Sequence, residues 1–471
     1  MVMRISSGIE SLDIILNGGF LPKRSYLIRG GPGSGKTTFC LHFLIEGVKN
    51  NENVLFITFG EPSEKIKENA KAIGLSPEGI VFLDLAPSEE FFVKDQTYDI
   101  FSPADVERGP TVKTIVETVE KVKPSRVVID SVTYLRFLAP DVYQYRKQVL
   151  SLIDFLTDRG ATVLFTSESG VIPDDDLQFI ADGVIDLIME MIGVDIYRRL
   201  SVKKFRGSSF LPGYHLIRIG HGGIRIYPRI LPQKIERKHI GEKISTGIKE
   251  LDEMTNGGIN RQTITVISGA AGTGKTTLAM RIAYEAALRG ENVTYYAFEE
   301  DPAIILSRAK KVGMERIREL VEKSLIKIVF AESLKFAPEE ALHITLKDLR
   351  ERNTKLVIID SLNGAELALV GAEDKRRPIQ AILRNLVANG ATVILIDEFE
   401  ANSRGFTRLG VSYLADNIIV LGHYVKDGVT RKYIRVVKMR LSKFSPEIRD
   451  FEITSEGIKI GERVKEVQKL C

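Results

Sequence analysis

The feature that most constrains this chain is a glycine-rich octapeptide that occurs twice. The first copy is Gly30-Gly31-Pro32-Gly33-Ser34-Gly35-Lys36-Thr37 and the second is Gly269-Ala270-Ala271-Gly272-Thr273-Gly274-Lys275-Thr276. The first follows the apolar run Tyr26-Leu27-Ile28 and opens a run from Thr38 to Leu44 that reads as a helix. Strand, glycine-rich turn, Lys-Thr and helix is the context a P-loop requires. The glycines let successive backbone N–H groups and the helix N-terminus converge on phosphate oxygens. Lys36 and Lys275 then reach the β- and γ-phosphates, and the Thr37 and Thr276 hydroxyls help hold Mg²⁺. Thr38 and Thr277 complete the two nucleotide-binding sets.

The duplication extends well beyond the loops. Ser6-Ser7-Gly8-Ile9-Glu10-Ser11-Leu12-Asp13 with Asn17-Gly18-Gly19 matches Ser245-Thr246-Gly247-Ile248-Lys249-Glu250-Leu251-Asp252 with Asn256-Gly257-Gly258. Lys275 minus Lys36 and Asp252 minus Asp13 both give an offset of 239, as does Val293–Phe298 against Val54–Phe59. Arg126–Ser131 matches Leu356–Ser361, and Gly160–Phe165 matches Gly390–Leu395, now at 230. The first copy thus carries nine extra residues, expected as a surface excursion around Asp84–Pro110. So long a repeat is a duplicated domain and not a solenoid.

The matched segments are β-branched and apolar along their length, the pattern of strands covered on both faces. Helical patterns at Ile115–Val122, Gln148–Leu156 and Leu278–Leu288 alternate with them. These features predict an α/β chain of two tandem P-loop domains, each a mainly parallel sheet covered by helices. Ile185–Met189, Leu200–Phe205 and Tyr214–Ile226 read as hairpin strands added at a sheet edge. A linker is expected from Pro228 to Lys243, with domains over 1–235 and 236–471.

Ligands of such sheets sit beyond the carboxyl ends of the strands. Asp130 and Asp360 each end a strand of four apolar residues, the Walker B arrangement, and are candidate Mg²⁺ ligands. Hydrolysis also needs a group that orients the attacking water. Phe298-Glu299-Glu300-Asp301 offers adjacent carboxylates, whereas Phe59-Gly60-Glu61-Pro62 keeps only the second, Glu61. Late in each copy Lys204/Arg206 and Lys438/Arg440 lie two apart, on one face of a strand. Their recurrence beside two anionic sites suggests γ-phosphate contacts donated by a neighbouring subunit.

The chain carries Lys+Arg 66 against Asp+Glu 62, a net +4, which argues against a nucleic-acid arm or a polybasic membrane anchor. No signal peptide is visible at the start, and no apolar run approaches the roughly 20 residues of a membrane helix. Two cysteines, Cys40 and Cys471, form no disulfide framework and fit a reducing cytoplasm.

The paired S-x-G-I-x-x-L-D openings, the P-loops, the Phe-x-Glu turns, the I-D-S segments and the K-x-R strands together resemble the KaiC family of RecA-like ATPases. The resemblance covers about residues 4–228 and 243–460. It implies a RecA-like core in each half, ATP with Mg²⁺ bound between subunits, and a homohexameric ring of two tiers. It also implies Glu299 and Glu300 as catalytic carboxylates of the second site, and Lys204, Arg206, Lys438 and Arg440 as contacts in trans. Clock members of the family are phosphorylated on neighbouring Ser and Thr, and here that region reads Thr407-Arg408-Leu409-Gly410-Val411-Ser412-Tyr413. Ser412, then Thr407, are the candidate acceptors of an autokinase. The expected function is therefore an ATP-hydrolysing regulatory or signalling ring with unidentified protein partners. The alternative is a RecA-like nucleic-acid motor or recombination ATPase, disfavoured by the near-neutral charge and the lack of a DNA-binding appendage.

Overall fold

The computed structural model describes residues 3–85, 110–169, 175–192, 195–231, 234–237, 241–331, 337–369, 375–398, 413–465 and 469–470. The chain divides into two compact units, Met1–Arg229 and Ile230–Cys471. In the first, β1 (Ser25–Gly30), β2 (Val54–Thr58), β3 (Val81–Asp84), β4 (Arg126–Asp130), β5 (Thr162–Glu168) and β6 (Gly183–Ile192) are followed by β7 (Asp195–Phe205), β8 (His215–Gly220) and β9 (Gly223–Tyr227). They form one nine-stranded sheet in the order β3-β2-β4-β5-β1-β6-β7-β8-β9. The strands from β3 to β6 are parallel to their neighbours, and the last three are antiparallel additions.

The apolar runs are buried on both faces, as their lack of alternation predicts. Val54 and Phe56 of β2 join one core with Phe39, Phe43 and Leu44 of the P-loop helix. Leu55 and Ile57 join the opposite core with Val149, Leu152 and Leu156 of the helix Val142–Asp158. Alternate side chains of a strand point to opposite faces, so two helical layers need both sets apolar.

The second unit repeats this plan. A two-stranded ribbon, β10 (Lys243–Ile244) with β11 (Ile259–Asn260), precedes β12 (Ile264–Gly269), β13 (Val293–Ala297), β14 (Ile326–Phe330), β15 (Leu356–Asp360) and β16 (Thr392–Glu398). Then come β17 (Asn417–Lys426), β18 (Val429–Met439), β19 (Ile448–Thr454), β20 (Gly457–Arg463) and β21 (Lys469–Leu470). The order β14-β13-β15-β16-β12-β17-β18-β19-β20 is that of the first unit, with β21 paired to β17. The opening motif of each repeat is a local lock. Asp13 Oδ1 accepts the Ser7 N–H at 2.8 Å and Asp252 Oδ1 accepts the Thr246 N–H at 2.8 Å.

Three expectations change. The segment Ile185–Met189 is not an edge addition, because β6 runs parallel beside β1 in the sheet interior and only its other side begins the hairpin. The net nine residues combine two opposite changes. Leu55 pairs with Val81 and Thr294 with Lys327, so the third strands are offset by 246. Against 239 before and 230 after, the second copy gains seven residues, where the helix Ile317–Glu322 lies, and the first gains sixteen between β3 and β4. Finally, the charged stretch read as linker is partly attached to the second unit, since Arg237 bonds Asp416 at 2.8 Å and the Gln262 carbonyl at 3.3 Å. Among the described residues no helix is long and apolar enough to cross a membrane.

Candidate functional site

Each P-loop links the carboxyl end of a central strand to a helix, Lys36–Lys49 or Lys275–Leu288. The residue before each helix, Gly35 or Gly274, takes a left-handed φ of 100° or 106°, which favours glycine. Neither helix is capped by a side chain, so its first N–H groups stay directed at an anion. A methyl on Gly35 would lie 2.7 Å from Ile219 Cδ1, and one on Gly274 would lie 2.6 Å from Ile453 Cδ1, so the cradle is packed from behind as well.

The lysines are folded over their loops. Lys36 Nζ donates to the carbonyls of Gly30 at 2.9 Å and Gly31 at 3.1 Å. Burial lowers its pKa, while the charges of Glu168 and Asp130 pull it back up. Lys275 Nζ donates to the Ala270 carbonyl at 2.9 Å and reaches Glu398 Oε2 at 3.4 Å. A buried ammonium held chiefly by carbonyl oxygens can exchange them for a phosphate, which offers it a full charge.

The Walker aspartates stand beside these loops. Thr37 Oγ1 donates to Asp130 Oδ2 at 2.6 Å, and Thr166 Oγ1 donates to Oδ1 at 2.5 Å. In the second copy Thr276 and Tyr295 donate to Asp360, whose pKa burial raises and those two hydrogen bonds lower. A hydroxyl and a carboxylate are hard oxygen donors, suited to Mg²⁺. No group of three or more His, Cys, Asp or Glu side chains that could hold a metal alone occurs among the described residues. A Mg²⁺ held by such a Thr–Asp pair would complete its coordination with phosphate oxygens and water.

The turns after β2 and β13 are drawn to the aspartates by backbone bonds, Phe59 N–H to the Asp130 carbonyl at 3.0 Å and Phe298 N–H to the Asp360 carbonyl at 2.8 Å. The two glutamates of the second turn then diverge. Glu299 Oε1 accepts from the Ser361 hydroxyl and lines a cleft of about 390 Å³ with Lys275, Thr276, Thr277 and Asp360. Glu300 is bound by Arg308 on the following helix. Glu61 also turns toward its following helix, with Asn69 Nδ2 at 3.3 Å and Lys65 Nζ at 3.8 Å. At the 239 offset Asn69 corresponds to Arg308, so Glu61 is the counterpart of Glu300 in partner as well as position. The first cleft, about 780 Å³, is lined by Pro32, Gly33, Lys36, Thr37, Thr38 and Asp130, and has no carboxylate in the place of Glu299.

A KaiC-type ATPase model matches residues 5–230 and again 244–465. The chain belongs to the KaiC family of ATPases. Among its relatives, the circadian clock oscillator protein KaiC of Synechococcus elongatus is 29% identical over 485 residues, covering 100% of this chain and 91% of the relative. The circadian clock protein KaiC3 of Synechocystis is 29% identical over 485 residues, covering 99% and 93%. KaiC of Parasynechococcus marenigrum is 28% identical over 490 residues, covering 100% and 92%.

The KaiC domains here do not bring their K-x-R residues to their own P-loops. Gly30 pairs with Leu187, and Leu187 with Leu200, at the P-loop end of the sheet. Tyr26 pairs with Gly183, and Gly183 with Phe205, at the other end. Lys204 and Arg206 thus flank the start of β1, four residues or roughly 13 Å from its carboxyl end. There Lys204 Nζ donates to the Gln178 carbonyl at 2.7 Å, and Arg206 lies 4.0 Å from Asp182. Lys438 and Arg440 repeat the placement, with Arg440 Nη2 donating to the Tyr413 carbonyl at 2.7 Å. Ser412 and Thr407 lie outside the described residues.

Sequence reasoning missed several cleft residues. Glu168 and Glu398 end β5 and β16 beside the two lysines, and the 230 offset that matched these strands also equates them. Arg198, whose Nε donates to the Gly33 carbonyl at 3.1 Å, and Lys432 line the clefts from the hairpin strands. Thr166 and Tyr295 carried no signal, because each reaches its aspartate from a neighbouring strand that only the sheet order sets alongside.

Proposed function

We propose that this chain hydrolyses ATP at two unequal sites, one in each half (residues 1–235 and 236–471), and that it works in the cytoplasm as a head-to-tail homohexameric ring. The observation that carries the reading is Glu299, held by Ser361 at the mouth of a cleft that also presents Lys275, Thr276 and Asp360. Lys275 swings from the Ala270 carbonyl to the β- and γ-phosphates, where its charge offsets theirs. The helix N-terminus and loop N–H groups bind the remaining oxygens. Glu299 orients water against the γ-phosphorus and accepts its proton. Thr276 and Asp360, like Thr37 and Asp130, would hold Mg²⁺ brought with the nucleotide, and that ion would supply charge neutralisation for the phosphates. The first site keeps the binding parts and lacks the carboxylate, so it binds ATP and turns it over slowly.

The K-x-R placement supports a ring: cations at the far end of their own sheet are placed to serve a neighbour's cleft rather than their own, and head-to-tail interfaces give closed rings where the rotation between subunits closes. Phosphate release by the full-length protein, with assembly mass measured with and without ATP, tests this. Lys36→Ala and Lys275→Ala should each weaken ATP binding at one cleft by about 10–100-fold, the worth of a charged hydrogen bond. Two ATP per chain in the double variant would sink the assignment. Arg440→Ala should lower turnover more than affinity, and mixing it with Glu299→Gln should restore some activity through hybrid interfaces. No rescue despite verified subunit exchange would remove the trans contacts. Autophosphorylation on Ser412 or Thr407 would appear as added phosphate by intact mass after incubation with ATP.

A further inference from the structure

The loss of a carboxylate at Gly60 is matched by a second exchange across the cleft. At an offset of 239 Gly60 corresponds to Glu299; at 230 Tyr134 corresponds to Gly364 and Ser131 to Ser361. The second site therefore has glutamate facing glycine, and the first has glycine facing tyrosine. In the first site the Tyr134 ring and a side chain at position 60 exclude each other, and in the second a side chain at position 364 meets Phe298 first. A Cβ on Gly364 would fall inside the Phe298 side chain, 3.2 Å from Cγ and closer still to Cβ, and 3.5 Å from Glu299 Cγ. A Cβ on Gly60 would fall inside the Tyr134 ring, 2.5 Å from Cζ and 2.8 Å from the phenol oxygen. The serine between them records the substitution. Ser361 donates to Glu299, whereas the Ser131 hydroxyl is buried with no hydrogen-bond partner among the described residues. Tyr134 itself lines the first cleft with Lys36, Thr37 and Asp130.

We propose that Gly60 and Tyr134 act as one paired switch, in which the Tyr134 ring fills the place of the water-orienting carboxylate and makes the first cleft hold ATP with only slow turnover. An aromatic ring face takes no proton from water, and its bulk keeps water from the place where Glu299 works in the other copy. Removing the ring alone leaves no base, and adding a glutamate alone leaves it no room. Only the exchange of both residues restores hydrolysis. This rests on the reading of the clefts as ATP sites.

The test uses the full-length protein with the second site silenced by Glu299→Gln, adding Gly60→Glu, Tyr134→Gly, or both, and measuring ATP-dependent phosphate release. Each single change should stay near background, and the double change should raise release by about 10²-fold or more, the low end of a water-positioning contribution. Equal release from Gly60→Glu alone, or none from the double variant with ATP bound, would overturn the switch. First-site occupancy is read separately. The chain has no tryptophan, so Tyr134→Trp places a single, selectively excited tryptophan in the first cleft, and its emission should respond to ATP unless Lys36→Ala is present. No response, together with no first-site ATP by direct binding, would instead remove the ATP-site reading. A stability cycle in the second unit covers the case in which the double variant does not fold. Gly364→Tyr should lower the melting midpoint, and adding Glu299→Gly should recover part of that loss. Simple additivity would show the two positions to be uncoupled and end the proposal.

Discussion

The two halves share a sheet order and a loop but not a chemistry. Both glycine-capped helices begin at a lysine folded over its own loop, and both threonines bond the aspartate that ends the next strand but one, β4 or β15. What surrounds these parts has diverged. Asp130 is supported by Thr166 and Asp360 by Tyr295, and Glu299 has Gly60 as its counterpart. Gripping a phosphate depends on backbone geometry and one cation, which duplication copies whole. Turning over the nucleotide depends on one oriented carboxylate, which a single substitution removes. On the proposed reading, binding and hydrolysis are therefore separated within one chain.

The largest expected effect breaks the symmetry of the glutamates. Glu299→Gln should cut total phosphate release by about 10²–10⁴-fold, the usual worth of a positioned base. Glu61→Gln should change it less than about twofold, because its carboxylate is engaged with Asn69 and Lys65 as Glu300 is with Arg308. The opposite ranking, with both variants assembled, would mean that the first cleft does the hydrolysis.

A second difference concerns acid. His42 Nε2 accepts the Ile224 N–H at 2.9 Å, and burial with the nearby Lys49 charge lowers its pKa from 6.5 to about 4. Its counterpart in the second unit at the 239 offset is Arg281, not a histidine. A lowered folded-state pKa means that the unfolded chain binds the extra proton between those two values. The stability from a neutral His42 is thus complete above about pH 6.5 and lost as pH falls toward 4, by about 3 kcal/mol. Burial lowers the pKa of His215 in the same unit too. Hydrogen exchange at pH 7 and pH 5 should show β8 and β9 losing protection before β17 and β18. His42→Gln should flatten that difference, and equal loss in both units would refute it.

The sequence made the binding half of this comparison legible and left the rest in shadow for a physical reason. P-loops and Walker strands are local patterns, with all their parts within about a dozen residues. The position of β6 beside β1 is a tertiary pairing, so Ile185–Met189 looked like any strand near a hairpin. The net nine residues concealed a seven-residue and a sixteen-residue change of opposite sense. Tyr134 is 74 residues from Gly60, and only after β2 and β4 pair does its ring meet that glycine. Gly60 alone reads as a loss, whereas the fold shows it as half of an exchange.

The smallest effect tests the serines that follow the two aspartates. Ser361 has two tasks: its hydroxyl donates to Glu299 and accepts the Gly364 N–H at 3.3 Å, capping the helix Leu362–Ala368. Ser361→Ala should therefore cost about 1 kcal/mol of stability through the lost cap, and about tenfold in turnover as Glu299 loses its tether. Ser131 has neither task. It is 5% exposed, its hydroxyl has no partner among the described residues, and the helix Thr133–Leu138 is not capped by a side chain. Ser131→Ala removes a buried hydroxyl with nothing to bond, so folding stability should hold or rise by up to about 1 kcal/mol. Urea midpoints of the two variants read the difference directly. Equal losses would show that Ser131 has a partner that the carboxylate-free site still supplies, and the two clefts would then be closer in chemistry than their glutamates imply.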